Sequence, residues 1–302
     1  MTTSFIAIVN PAAGNGRCAQ LAGAAIAELR NRGIKLEVRE TDKPSAATEL
    51  TRAAAREGHR NFIAVGGDGT SFEVVNGLCD WLGASDPRQR VRLGFLPLGT
   101  GNSFLRDFGA ADPKHAITAL AELRARSCDA MRLEHEAGVL HYLNLLSLGF
   151  VADICSTANR RWKRLGTAGY GLGVLTTLAT LHSRPTRLRV DGGADWEQSM
   201  VFLSVCNSRF TGGGMMMAPY ADTGDGQADV IVCGAMDRWT LLTTFPKIFH
   251  GDHVHHPQIS ASRCRSLEFF EAEPIDLMID GEVVHHQPKR LDVCAGALDV
   301  FV

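Results

Sequence analysis

Two sets of residues in this 302-residue chain could do chemistry together: glycine-rich turns that each carry a polar side chain, and a late pair of carboxylates. The turns are Asn10-Pro11-Ala12-Ala13-Gly14-Asn15-Gly16, the loop at Thr41, Gly66-Gly67-Asp68-Gly69-Thr70, and Pro97-Leu98-Gly99-Thr100-Gly101-Asn102. Glycine admits φ > 0 and lets backbone N–H groups approach a phosphate without a Cβ in the way. A helix starting after such a turn adds the positive end of its dipole. Any one of these segments is equally a tight turn between strand and helix. Together, with Asp68 among the glycines, they point to a nucleotide phosphate site. No Walker A sequence is present, and no G-x-G-x-x-G follows a strand, so the site is neither a P-loop nor a dinucleotide fingerprint.

The carboxylates are Asp280 and Glu282, in Asp280-Gly281-Glu282 directly after the apolar run Ile275 to Ile279. Two carboxylates two residues apart on a turn can face one site, one orienting a metal or water while the other accepts a proton. An ordinary Asp-Gly hairpin turn is the competing reading. Asp68 is suited to organising Mg²⁺ on nucleotide phosphates, or to capping the helix that follows it. His250, His253, His255 and His256 lack a Cys or carboxylate partner at zinc spacing. His285 and His286 follow the acidic pair and could touch phosphate or simply be exposed.

These residues need elements to hold them. Phe5 to Val9, Ile34 to Glu40, Asn61 to Val65 and Val91 to Pro97 read as strands. Helical patterns lie between them over Cys18 to Arg30, Ala46 to Glu57 and from Thr70 through Leu82. Strands alternating with helices of this length indicate a parallel sheet, which binds ligands at its carboxyl edge. Beyond Met131 the segments shorten and alternate with period two: Met131 to Glu134, Val139 to Leu145, Thr186 to Val190, Met200 to Cys206, Ala228 to Cys233, Gln258 to Ala261, Leu267 to Phe270, Ile275 to Ile279 and Leu291 to Cys294. This reads as a mostly antiparallel β domain with helical insertions near 160–182 and 238–250. The expected division is an α/β domain over 1–130 and a β-rich domain over 131–296, with Ala297 to Val302 free to return to either.

Lys and Arg number 31 against 33 Asp and Glu, a formal charge of −2, which argues against a general nucleic-acid binder. A local basic patch for anionic lipid needs only a few residues. Arg160-Arg161-Trp162-Lys163-Arg164 beside the Gly/Leu/Thr-rich segment ending at Leu181 suits docking on such a surface, or a solvated helix start. The eight cysteines form no C-x-x-C and read as reduced thiols. No signal peptide is expected, and no run reaches the ~18–20 apolar residues of a membrane span. The expectation is a cytoplasmic protein whose membrane contact is peripheral.

The segments Asn10-Pro11…Gly14, Gly66-Gly67-Asp68-Gly69-Thr70…Glu73-Val74-Val75-Asn76-Gly77 and Pro97-Leu98-Gly99-Thr100-Gly101-Asn102…Phe104…Arg106 resemble the diacylglycerol kinase and sphingosine kinase-like family. Asn207…Gly212-Gly213-Gly214-Met215…Ala218-Pro219…Gly224-Asp225-Gly226 and Asp280-Gly281-Glu282 extend the likeness, in order, over nearly the whole chain. The resemblance implies an NAD kinase-like α/β domain, a C-terminal β-sandwich, and ATP with Mg²⁺ in the cleft between them. It implies a lipid hydroxyl as acceptor, met at the membrane surface, with room for a homodimer. Asn10, Thr41, Gly66, Gly67, Gly69, Thr70, Glu73, Gly99, Thr100 and Asn102 become nucleotide contacts, and the acidic pair supplies the base, Glu282 ahead of Asp280. Asp222, Asp225 and the carbonyl of Gln227 match the family's second, structural Mg²⁺ loop. The chain departs from the bacterial pattern at Phe72, where Asn is usual, and at Ser103, where Asp is frequent. An NAD kinase, or an idle regulator that binds nucleotide or lipid, are the competing readings.

Overall fold

The computed structural model describes residues 4–157, 178 and 181–302. The first third alternates β1 (Ser4–Val9), α1 (Arg17–Asn31), β2 (Lys35–Glu40), α2 (Ala46–Arg56), β3 (Asn61–Gly66), α3 (Asp68–Gly77), β4 (Arg92–Pro97) and α4 (Pro113–Ala121). β1 lies between β2 and β3, and β4 lies beside β3, all parallel. Helical spacing of Cys18, Ala22, Ala25, Ile26 and Leu29 gives α1 one buried stripe. That stripe and α4 pack on Phe5, Ala7 and Ile63. α2 and α3 cover the opposite face of the sheet, with Ala54, Val74 and Val75 against Ile8 and Phe62. The result is a helix–sheet–helix sandwich whose βα loops share one edge.

Antiparallel structure follows: β5 (Ala125–His135), β6 (Gly138–Tyr142), β7 (Leu145–Gly149), α5 (Phe150–Thr157), β8 (Arg184–Val190), β9 (Asp195–Cys206), and the short β10 (Phe210–Thr211) and β11 (Met215–Met216). Next come β12 (Ala228–Gly234), the helix Arg238–Thr244, β13 (Ile259–Cys264), β14 (Ser266–Phe269), β15 (Ile275–Ile279), β16 (Glu282–His286) and β17 (Pro288–Phe301). One core, around Tyr142, Leu146, Leu203, Leu267 and Leu291, fills the β-sandwich. A second lies under α5 and Arg238–Thr244, where Ile154 and Leu241 meet Phe202 and Ile231.

The α/β class and the sandwich are as the sequence implies. Several details differ. β5 runs across the expected boundary between residues 130 and 131 and pairs antiparallel with β17 from His135 back to Ala125. Ala297 to Val302 return to the first sheet, where Val300 pairs with Leu93 of β4. One continuous sheet therefore passes through both halves. The helix expected to reach Leu82 ends at Gly77, and a 3₁₀ turn, Cys79–Trp81, replaces its last stretch. The strand expected over Val139 to Leu145 is two strands, β6 and β7, turning at Leu143 and Asn144. β16 and α5 were not anticipated. The basic run at 160–164 and most of the expected helix at 160–182 lie outside the described residues.

α2 and α3 approach so closely that a Cβ on Gly77 would sit 2.6 Å from Thr51 Cβ and 2.8 Å from the Thr48 carbonyl. Neither atom is the flexible end of a side chain. Overpacking of this kind costs about 1–3 kcal/mol, against a helix-propensity gain of about 1 kcal/mol. Gly77→Ala is expected to lower the urea midpoint with an unchanged m-value; an equal or higher midpoint would contradict the close packing.

Candidate active site

Three of the four loops meet at the carboxyl edge of the parallel sheet. Leu98 and Gly99 donate their N–H groups to the Gly66 carbonyl at 2.8 and 2.7 Å. The second and third loops thereby lie backbone against backbone. A Cβ on Gly99 would stand 2.4 Å from the Gly67 Cα, which leaves glycine as the residue that permits this approach. Asn10 joins the first loop to the second: its Nδ2 donates to Thr70 Oγ1 at 3.2 Å and its Oδ1 accepts from the Ala12 N–H at 3.1 Å. Asp68 opens α3 and accepts the Ser103 N–H at 3.0 Å. Burial pushes the Asp68 carboxyl up to about 6, against the Ser103 and Asn102 N–H groups, and the nearby Glu282 charge adds to the rise.

The second half reaches this edge through one hairpin. β15 and β16 pair with Ile279 opposite Glu282, leaving Asp280 and Gly281 as a two-residue turn. Both turn residues have positive φ, +50° and +89°, as an Asp-Gly hairpin of the primed type requires. The hairpin reading holds, and the turn carries two carboxylates two residues apart. Asp280 is buried, and its carboxylate accepts the N–H groups of Leu143, Asn144 and Leu145 at 3.1, 3.0 and 3.0 Å. Burial outweighs the Leu143 and Leu145 donors, and with Asp68 nearby the Asp280 carboxyl rises to about 7. Glu282 is exposed and projects across the gap, its Oε1 2.4 Å from where a Cβ on Gly69 would lie.

Between these parts lies a cleft of about 420 Å³. Asn10, Gly67, Asp68, Gly69, Thr70, Glu73, Gly99, Thr100, Asp280 and Glu282 all line it. Gly66, Thr41 and Asn102 do not. Gly66 lies beneath Thr70, Thr41 is bonded to the Val9 carbonyl, and Asn102 braces its own loop through Nδ2 to the Gly99 carbonyl at 3.2 Å. Glu73 stands at the rim, but its two oxygens accept the Ser45 and Ala47 N–H groups at 3.1 Å and so tie α2 to α3. Gly14, Asn15, Gly101 and Gly281 also line the cleft. Sequence reading quoted them within the motifs without assigning them contacts.

Ser103, one of the two departures, couples the halves: its Oγ accepts the Gly213 N–H at 3.0 Å. Phe72, the other, packs toward the sandwich core. Asp107 adds a second bridge that sequence reading did not single out, accepting from the Arg209 N–H at 3.0 Å and Nε at 2.5 Å. The loop Ala221 to Gln227 lines no part of the cleft. Asp222 accepts the Gly224 N–H, Asp225 accepts the Gln227 N–H, and Arg263 stands 3.5 Å from Asp225. The buried Asp129 clamps this loop to β17 through the Gly226 and Gly296 N–H groups at 2.7 and 2.6 Å. His253 is buried with its Nε2 3.0 Å from the Met217 carbonyl.

The diacylglycerol kinase catalytic domain model matches residues 4–133, and the YegS C-terminal NAD kinase beta sandwich-like domain model matches residues 144–302. A diacylglycerol kinase of Mycobacterium tuberculosis is 30% identical over 299 residues, spanning 98% of this chain and 94% of that protein. The chain belongs to the diacylglycerol kinase family of lipid kinases. A protein of Pseudomonas aeruginosa named as a YegS-like lipid kinase is 31% identical over 92% of this chain and 88% of its own length. A diacylglycerol kinase-like structure from Bacillus anthracis str. Sterne superposes with a TM-score of 0.79 over 99% of this chain and 97% of that one. At 24% identity that likeness carries the fold alone.

The raised carboxyls of Asp68 and Asp280 fix a pH dependence. A group lifted to about 6 or 7 stays protonated through a range where ordinary carboxylates are ionised. The acid limb of kcat/KM, which reports the free enzyme, is expected between about pH 6 and 7. A limb near pH 4 would contradict the burial argument.

Proposed function

We propose that the chain transfers the γ-phosphoryl group of ATP to the hydroxyl of a membrane lipid such as a diacylglycerol, a ceramide or a sphingoid base. The observation that carries this is the meeting of Glu282, from the second half, with Gly69 beside Asp68 of the first. Phosphoryl transfer needs positioning, charge neutralisation and a base near the acceptor. Gly14, Gly67, Gly69, Gly99 and Gly101 line the cleft with backbone and no side chain, which suits approach of phosphate to N–H groups. Four carboxylates and no Lys or Arg line the cleft among the described residues, so phosphate charge calls for a divalent cation. Asp68 is the residue to hold it, directly or through water, and a bound Mg²⁺ would neutralise charge on the phosphates. Glu282 accepts the proton of the lipid hydroxyl as that oxygen takes the phosphoryl group. Asp280, its carboxylate already engaged by three backbone donors, orients the hairpin.

An apolar acceptor is supported by what lies next to the cleft. Gly213 abuts Gly101 and Ser103, and two residues on Met215 lines a narrow apolar cavity with Phe150, Ile154, Leu241, Phe245 and Ile248. A lipid could place its hydroxyl in the cleft and a chain in this cavity. On the outer side of the same segment Trp239 is 77% exposed, Phe249 50%, and Tyr220 56%, flanked by the exposed Arg238 and Lys247. Aromatic and basic side chains together favour the headgroup level of an anionic bilayer. No helix among the described residues is long and apolar enough to cross a membrane.

A lipid panel with ATP and Mg²⁺, read by mass spectrometry of products, tests the reading. One or more lipid hydroxyls should be phosphorylated, and Asp68→Ala should abolish turnover while the fold persists. Phosphorylation of NAD instead, or no transfer to any acceptor, would replace it with the small-molecule kinase or the regulator. Trp239→Ala is expected to weaken sedimentation with anionic vesicles severalfold and leave turnover of detergent-dispersed lipid intact. Unchanged vesicle binding would remove this face from the membrane contact.

A further inference from the structure

The cleft uses one end of β16, where Glu282 stands. The other end carries His286, which the phosphoryl chemistry does not use. There it meets His135 and Glu136, from the end of β5, although Glu136 and His286 are 150 positions apart in sequence. Each of the three side chains offers one ligand atom, and these atoms all lie within 4.8 Å of one another. His286 Nδ1 is 3.1 Å from Glu136 Oε1, and His135 Nδ1 is 3.7 Å from Glu136 Oε2. The two imidazole centroids are 3.9 Å apart. Ligand atoms held about 2.0–2.1 Å from a tetrahedral zinc must lie roughly 3.3 Å from each other. The His286 separation lies close to that value, and His135 Nδ1 stands 3.7 Å from the other oxygen of the same carboxylate.

We propose that His135, Glu136 and His286 bind one transition-metal ion of the zinc class, joining the turn after β5 to the corner between β16 and β17. Two imidazoles and a carboxylate select zinc, cobalt, nickel or copper over Mg²⁺, which prefers an all-oxygen shell. The outer contacts are already suited to the task. The Gln287 N–H donates to Glu136 Oε2 at 2.7 Å and fixes the carboxylate, as hydrogen bonds behind metal ligands do. The Ala137 N–H points at His135 Nδ1 from 3.3 Å, so that nitrogen carries the lone pair, and the contact is long enough to be relinquished. Burial keeps the His135 ring neutral by lowering its pKa, an effect that His286 and Lys289 reinforce and Glu136 opposes. The side chains of Glu136 and His286 remain about a third and a quarter exposed, which leaves an entry path and room for a water as fourth ligand.

In the protein without the ion, the pairing of Glu136 with His286 holds the Glu136 carboxyl down at about 2. Binding the ion would replace the Glu136–His286 pairing with two bonds to the metal. Lys289 is the cation that opposes binding. The ion would cross-link two segments distant in the chain, and the strand it pins carries Glu282 four residues from His286. The inference stands on these three side chains alone and does not depend on the kinase reading.

The full-length chain, freed of metal with a chelator, is titrated with Co²⁺ and then Zn²⁺. One Co²⁺ per chain should bind with the visible absorption of a four-coordinate ion, be displaced by one Zn²⁺, and persist in millimolar Mg²⁺. His286→Ala and Glu136→Gln should each weaken Zn²⁺ binding at least tenfold, and Zn²⁺ should raise the thermal midpoint of the native chain but not of His286→Ala. His286→Asn replaces the alanine variant should that one not fold. A double change of the exposed His255 and the half-buried His256 to alanine should leave binding intact. Absence of the Co²⁺ band, equal Zn²⁺ affinity in the His286 variants, or loss of binding in the His255/His256 variant would each overturn the proposal.

Discussion

The carboxylate of Asp280 gathers the N–H groups of Leu143, Asn144 and Leu145, and the geometry of the cleft depends on that contact. These three donors sit at the corner where β6 ends and β7 begins, with no strand partner to take them. Left unpaired in the interior, each would cost about 1–3 kcal/mol. Accepting all three fixes the hairpin turn at Asp280 and Gly281, and with it the start of β16. Glu282 then has one place to go, across to Gly69. The bond that satisfies a structural corner therefore also sets the distance between Glu282 and the glycine-rich loops.

The same contact explains an electrostatic tension. Asp68, Asp280 and Glu282 crowd negative charge into a partly buried space, and burial holds the first two carboxyls well above their usual range. Such crowding destabilises the folded chain at neutral pH, since the folded state binds protons more tightly than the unfolded one. Proteins tolerate strain of this kind at sites that a charged ligand completes. On the proposed function the complementary charge would be a cation carried with the nucleotide, and its arrival would relieve the repulsion. The two halves are further bridged by the side chains of Ser103, on the Gly213 N–H, and Asp107, on the Arg209 N–H.

Much of this was readable from residue types. The parallel sheet followed from strands alternating with long amphipathic helices; Gly67 and Gly99 read as phosphate-loop glycines, and the structure adds that their two backbones touch. Asp280-Gly281-Glu282 was visible both as a turn and as an acid pair; the turn is there, and both carboxylates line the cleft. What stayed hidden is long-range. Glu73 looks like a ligand contact in sequence, yet it caps α2 from a neighbouring helix, a role no local pattern announces. Thr41 lies at a strand end as expected but stands off the cleft. β16 was missed because its residues, Glu282 to His286, alternate poorly and owe their strand to pairing with β15. The break between β6 and β7 was missed because the residues at the corner, Leu143 and Asn144, read as strand until Asp280 claims their amides.

The central claim is that Glu282 acts on the acceptor and not on the nucleotide. Single-turnover phosphoryl transfer in Glu282→Gln, measured beside equilibrium ATP binding, tests it most directly. The transfer rate should fall by roughly 10²–10⁴, the range general-base removal produces, while ATP affinity stays within about threefold. A transfer rate near that of the native chain, or a loss of ATP affinity as large as the loss of rate, would contradict the account.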